Sequence, residues 1–354
     1  TFDVLFFSKN MLYAKSDNHT IPDPPTIEAL QNYLMAAMRT RIPDPKALNF
    51  EVAALLNISE NGAYKKLKGI NAFSAAELLQ LARAFNVSLD KFALGSSNKI
   101  TVEFAPLVTP YLEPLEYMRQ MRDNLEIAAQ IPGLKINYAT TELQIFHYCS
   151  FPELTAFKIF VLWNQAWEIP NDQPEISPEA LFADETFNQL RKRIVQLYNR
   201  VDSAEFWSLQ ILENTLNQIE YYALSKPKPE FYRLLCDQIK QLLARQRLMA
   251  EKGRKFAPGE QPEPDSGTFE LYHNEMIYTG NTYLIDAPMG RTIFSVFNNP
   301  NYFRTSDTAL CNYTAARFER LLETSQALSV KGEKNRNNFF GNLLKRLQTL
   351  EERL

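Results

Sequence analysis

Within the ten residues from Ser59 to Lys68 the chain gathers two hydroxyls (Ser59, Tyr64), a carboxylate (Glu60), a carboxamide (Asn61) and three ammonium groups (Lys65, Lys66, Lys68). A carboxamide can pair with an adenine edge, and an ammonium can reach a guanine or a phosphate oxygen. A phenol can bond a phosphate or pack on a sugar. Glu60 repels phosphate, so it either accepts from a cytosine amino group or stands as a passive cap. These groups suit contact with a nucleic acid if one rigid element holds them on one side.

A second set of reactive types lies at His147 and Cys149, two residues apart in Phe146-His-Tyr-Cys-Ser-Phe151. Read as a strand, the segment points both side chains to the same face, where a nucleophile and a base could meet, but no orienting acid is evident. The plainer expectation is a packed imidazole and a buried thiol in an aromatic core. With His19, His147 and His273 as its only histidines, the chain has no His-rich metal site, and no Gly-x-Gly or Gly-Lys-Ser/Thr phosphate loop occurs. We therefore expect no enzyme activity, no cofactor and no metal. Trp163, Trp167, Trp207, Tyr221 and Tyr222 fall on expected helices, where they either fill the core or line an aromatic pocket.

The element that must carry Ser59 to Lys68 is a short helix behind a tight turn. Val52, Leu55 and Leu56 recur at helical spacing in Phe50 to Leu56, and Ala53 is small enough for a second helix to cross close by. Asn57 tolerates the left-handed conformation and can end that helix. Ile58 plugs the turn, and Ser59 is an N-cap for the next helix. There Ala63 and Leu67 face inward, leaving Glu60, Asn61, Tyr64, Lys65 and Lys68 outward. Behind the pair, Ser74 to Phe85 is amphipathic, with a Ser74/Glu77 capping box and a Leu78, Leu81, Ala82, Phe85 stripe. Ile27 to Met38 supplies the covering helix, and Asn86 to Phe92 a closing turn.

This stretch, about residues 25 to 95, resembles the Cro/repressor-type (XRE-like) helix-turn-helix domain of bacterial transcription regulators. The resemblance rests on Ala53, Ile58, Ser59, Ala63, Gly69 and the leucine-rich helix ending in Asn86-Val-Ser-Leu-Asp. It implies sequence-specific DNA binding through Ser59, Glu60, Asn61, Tyr64, Lys65 and Lys68, with Lys66 as an additional candidate. The chain departs from the pattern at Lys66, where the family has an apolar residue, and Leu67 fills that role one position later. The loop Arg41 to Lys46 is also longer than a minimal domain needs. About residues 104 to 354 resemble the uncharacterised C-terminal region that follows this domain in some such regulators. The features shared are Phe146-His-Tyr, Phe151 to Lys158, Gln218 to Tyr222, Leu271 to Glu275 and Gly332 to Arg336; they imply an effector or assembly role.

At 354 residues the chain should hold at least two domains. Its net charge of −3 gives no nucleic-acid signature for the whole, whereas residues 25 to 95 carry eight Lys or Arg against six Asp or Glu. That weak positive balance favours a homodimer, which doubles the phosphate contacts. Cys149, Cys236 and Cys311 are far apart and odd in number, so a reducing cytoplasm is expected in place of a disulfide framework. No apolar run approaches a membrane span.

The expected fold class is mainly α: a helix-turn-helix bundle, then a larger helical domain containing a small antiparallel β hairpin or meander. In order, we expect a tail or arm at 1–24, the DNA-binding domain at 25–95, a linker at 96–110 and the helical effector or oligomerisation domain at 111–354. Helices are expected over 111–130, 152–167, 178–199, 203–225, 229–251, 307–328 and 334–354. The β insertion falls at 268–297, with Gly280-Asn281 as a hairpin turn and 99–104 as a strand or connector. Expected partners are double-stranded DNA and a second copy, with a small-molecule or peptide effector as a further candidate and no membrane. The rival expectation is a protein- or peptide-binding helical scaffold with the helix-turn-helix as an adaptor.

Overall fold

The computed structural model describes residues 26–85, 87, 89, 100, 102–104, 114–166, 176–226, 228–277, 281–298 and 301–354. The expected tail at 1–24, most of the linker, most of Asn86 to Phe92, and Trp167 lie outside these. The chain divides into two compact units between residues 101 and 102.

The first unit is built from α1 (Ile27–Arg41), α2 (Pro45–Leu56), α3 (Glu60–Leu67) and α4 (Ala75–Ala84). Each start has a chemical cause. Thr26 Oγ1 accepts from Ala29 N–H, and Asp44 accepts from Lys46 and Ala47 N–H with Pro45 preset for the first turn. Ser59 Oγ accepts from Gly62 N–H, and Ser74 with Glu77 forms the reciprocal capping box. α2 thus begins five residues earlier than its apolar periodicity indicated, because Asp44-Pro45 caps it and shortens the preceding loop. Leu34, Met38, Leu48, Val52, Ala63, Leu78 and Leu81 share one core. Full burial of each large apolar side chain contributes about 1.5–3 kcal/mol.

The second unit overturns the expectation of a mainly helical domain with a small hairpin or meander. Its centre is an eight-stranded mixed sheet of order β1-β7-β6-β5-β2-β3-β4-β8. The strands are β1 (Glu103–Phe104), β2 (Lys135–Thr140), β3 (Asp202–Trp207), β4 (Phe269–His273), β5 (Thr282–Ala287), β6 (Gly290–Asn298), β7 (Asn301–Thr305) and β8 (Gln326–Ala327). β2, β3 and β4 are parallel neighbours; every other pairing is antiparallel. The helices are α5 (Pro114–Ala129), α6 (Ile145–Tyr148), α7 (Pro152–Ala166), α8 (Pro178–Ala183), α9 (Glu185–Tyr198), α10 (Glu213–Ser225), α11 (Pro229–Lys252), α12 (Thr308–Thr324) and α13 (Glu333–Glu351).

Strand alternation assigns the two faces. Ala139, Ala204, Phe206 and Leu284 meet Cys311, Ala315, Phe318 and Leu321 of α12 on one side. On the other, Trp207, Phe269 and Leu271 join the core made by α5, α7, α9, α10, α11 and α13. Three expectations change with this sheet. The expected helix from Ser203 to Ser225 is β3 followed by α10, which places Trp207 on a strand. The expected helix from Pro178 to Asn199 breaks at Asp184, which caps α9 by accepting from Phe187 N–H. The β5–β6 hairpin turns at Pro288-Met289, and Gly280 of the hairpin turn expected at Gly280-Asn281 lies outside the described residues. Parallel strands covered on both faces lack a clean polar and apolar alternation, so β2 and β3 carry no strand signal.

Candidate nucleic-acid interface

The turn between α2 and α3 is set by Asn57, whose φ of 52° and ψ of 47° are left-handed. Its N–H donates to Ala54 O at 3.2 Å, and Ile58 N–H donates to Ala53 O at 3.0 Å, which closes the end of α2. Asn49 Nδ2 then donates to Glu60 O at 3.2 Å, tying α2 to the first residue of α3. Ala63 is 0% exposed at the crossing of the two helices. A larger side chain there would push α3 outward.

With Ala63 inward, Ser59, Glu60, Asn61, Tyr64, Lys65 and Lys68 are all solvent-exposed. Ser59 spends one lone pair on its cap and keeps its hydroxyl proton. Asn61 sits in the first turn of α3. Lys68 Nζ lies 5.8 Å from the centre of the Tyr64 ring, so the two lean together on one side. Lys66 is placed differently. Its Nζ is 2.9 Å from Glu77 Oε2 and donates to Ala72 O at 2.9 Å, beneath the outward face. Burial raises the Glu77 pKa, but the Ser74 N–H and the Lys66 ammonium outweigh it and hold the carboxyl below its ordinary range. Lys66 therefore joins α3 to α4 and is engaged away from the exposed face.

Gln31 went unnoticed in the sequence. Its amide accepts from Phe73 N–H at 3.4 Å and donates to Lys66 O at 3.4 Å, fixing the far end of α3 against α1. A glutamine in an amphipathic helix carries no signal of such a role.

The His147 and Cys149 pair is not on a strand. His147 ends inside α6, fully buried, with Nε2 at 2.9 Å from Glu205 Oε2 and Nδ1 at 2.8 Å from Gln246 Nε2. Burial pushes the Cys149 thiol up to about 12, which keeps it protonated and poorly nucleophilic at neutral pH. Glu205, on β3, also accepts from Tyr198 Oη, from Ser203 Oγ at 3.2 Å and from Trp207 Nε1 at 3.0 Å. Burial alone would raise the Glu205 pKa, but His147, Lys255 and Tyr198 overcome it and bring the carboxyl to about 2. Lys255, also fully buried, lies 3.6 Å over the Tyr198 ring and donates to Val201 O at 2.7 Å. Desolvation lowers its ammonium to about 7 against the opposing pull of Glu205. This polar centre ties α6, α9, β3 and α11 together.

Of the aromatic residues, Trp163 is buried in α7 and Trp207 in β3, whereas Tyr221 is exposed. Trp163, Trp207, Tyr221 and Tyr222 line neither the cavity beside Lys158 nor the one beside Arg191. Among the described residues no three His, Cys, Asp or Glu side chains are grouped to hold a metal ion. No described helix is long and apolar enough to cross a membrane. Comparison with protein-family models, curated proteins and solved structures finds no match to this chain.

Proposed function

We propose that the chain is a sequence-specific DNA-binding transcription regulator, with α3 entering the major groove. In this reading Asn61 meets a base edge, Lys65 and Lys68 reach guanine or phosphate, and Tyr64 bonds the backbone. The observation that supports it most is the α2–Asn57–α3 turn, which buries Ala63 and leaves Asn61, Tyr64, Lys65 and Lys68 exposed. The weak positive balance of residues 25 to 95 leaves one copy with few phosphate contacts, so the regulator acts as a homodimer whose second unit senses or assembles. It works in the cytoplasm, where three free, buried cysteines stay reduced.

The test selects genomic DNA fragments on the purified full chain and measures the selected site by gel shift. Asn61→Ala with Lys65→Ala should abolish sequence preference while the circular dichroism spectrum is unchanged. Undiminished affinity for the selected site in that variant overturns the assignment.

The scaffold reading has one observation in its favour. Phe50, Ile70 and Leu79 are large, apolar and 63%, 66% and 62% exposed on the first unit, as a protein-binding surface would be. A stoichiometric protein partner recovered without DNA enrichment would establish it in place of DNA binding.

A further inference from the structure

A cavity of about 680 Å³ opens between α9, the turn joining α6 to α7 and the segment 256–266 that follows α11. That size lies within the range of small-ligand sites. Its inner wall holds Arg191, which is 9% exposed, beside Cys149, Val195 and Phe256. Its rim holds the exposed Lys192 and Arg200 together with the exposed Glu260, Glu263 and Asp265.

Arg191 is a buried cation without a counter-charge. Its Nε donates to Asn188 Oδ1 at 2.8 Å and its Nη1 to Cys149 O at 3.3 Å. Both acceptors are neutral, and Arg191 forms no salt bridge among the described residues. Its Nη2 makes no hydrogen bond and is not sealed from water-sized molecules. Burial lowers the Arg191 pKa, with Cys149 and Glu153 opposing it only in part. Arg245 stands behind the same wall. It is 7% exposed and donates to Phe256 O at 2.9 and 2.7 Å and to Asn199 Oδ1 at 3.1 Å, again with no carboxylate partner among the described residues. Asn199 and Phe256 both line the cavity. Two buried guanidinium groups thus make its inner side positive, and a buried charge is unfavourable until an opposite charge meets it.

We infer that this cavity binds a small organic monocarboxylate, whose carboxylate is held by the unengaged edge of the Arg191 guanidinium. A carboxylate matches the planar guanidinium fork, and Nη2 offers two N–H groups that nothing else engages. Val195, Phe256, Ala257 and Pro258 supply apolar wall for the carbon skeleton. The rim limits the ligand's charge. Asp265 is engaged by Arg200 at 3.3 Å, but Glu260 and Glu263 form no salt bridge among the described residues. A second negative charge on the ligand would meet these carboxylates, which disfavours phosphate and dicarboxylates. Arg191 in turn disfavours a cation. The inference stands independently of DNA binding by α3.

Isothermal titration calorimetry on the full chain at neutral pH, without DNA, tests it with acetate, butyrate and benzoate. Succinate and inorganic phosphate form the dianion arm, and butylamine the cation arm. Wild type should bind at least one monocarboxylate at millimolar concentration or tighter, and more tightly than any member of the other two arms. Arg191→Gln should weaken that binding at least about tenfold. Lys192→Glu changes an exposed side chain and should weaken it about threefold through charge alone. Glu260→Gln combined with Glu263→Gln should strengthen succinate binding relative to the monocarboxylate. Binding of no monocarboxylate, tighter binding of succinate, phosphate or butylamine, or unchanged binding in Arg191→Gln each overturns the inference. If Arg191→Gln melts below wild type, Lys192→Glu decides, and unchanged affinity there overturns the inference as well.

Discussion

The Lys66 ammonium sits 2.9 Å from the Glu77 carboxylate, so consecutive lysines on one short helix have opposite tasks. Lys65 points to solvent, and Lys66 fastens α3 to the capping box of α4. Replacing Lys66 with Ala should cost about 1 kcal/mol of stability, since the pair is largely shielded and Ala72 O loses its donor. Lys65→Ala should leave denaturant midpoints unchanged but lower the salt dependence of DNA binding by about 0.9 in slope. Urea titration and salt-dependent anisotropy separate the two. Equal stability loss in both variants would show that α3 is rotated otherwise.

Asn57 holds a left-handed backbone that β-branched residues resist. Asn57→Gly should preserve stability within a few tenths of a kcal/mol, whereas Asn57→Ile should lose about 1–2 kcal/mol. Thermal unfolding of the two variants measures the difference directly.

The buried Lys255 makes a signed prediction for pH. Its folded pKa of about 7 lies below lysine's ordinary 10.5, so between these values the unfolded chain binds the extra proton and stability rises with pH. The slope approaches about 1.4 kcal/mol per pH unit. Above pH 9 the buried thiols of Cys149 and Cys236, both raised to about 12, act in the opposite sense, because the unfolded chain now loses protons first. Stability should climb from pH 7 to about 9 and then fall. Lys255→Met should flatten the rise; urea midpoints across that range that rise as steeply as in wild type would exclude Lys255 as the cause.

Cys149, Cys236 and Cys311 are all buried. In the folded protein none should react with a thiol-specific chromogenic reagent at pH 8, and all three should react after denaturation. Fast modification of Cys149 alone would return it to consideration as a nucleophile.

The first unit was legible because its signals are local. Ser74 three residues before Glu77, Asn57 at the turn and Ala63 at the crossing each state their part within a few positions of sequence. The inward turn of Lys66 was not, because it depends on where Glu77 and Ala72 lie after folding. In the second unit β2 and β3 were missed for a specific reason. Ser203 and Glu205 look like the polar opening of a helix, but Glu205 meets a buried imidazole and two aromatic donors, and Ser203 Oγ donates to Glu205. A usable signal was present and unread: Glu205 between Ala204 and Phe206, and Lys158 within Phe157-Lys-Ile-Phe-Val161, are single charges in apolar runs. Arg191 gave none, since its lack of a carboxylate partner exists only in three dimensions.

The shared carboxylate of Glu205 also constrains how this chain can change over time. Four side chains donate to it, so any single replacement strands several buried donors at once, and no one further substitution repairs them all. Drift at this position requires coordinated changes on β3, α6 and α9, with Lys255 having to follow. A glutamate found unchanged there across divergent sequences would thus record mutational lock-in of the fold, and should not be taken as a mark of catalysis.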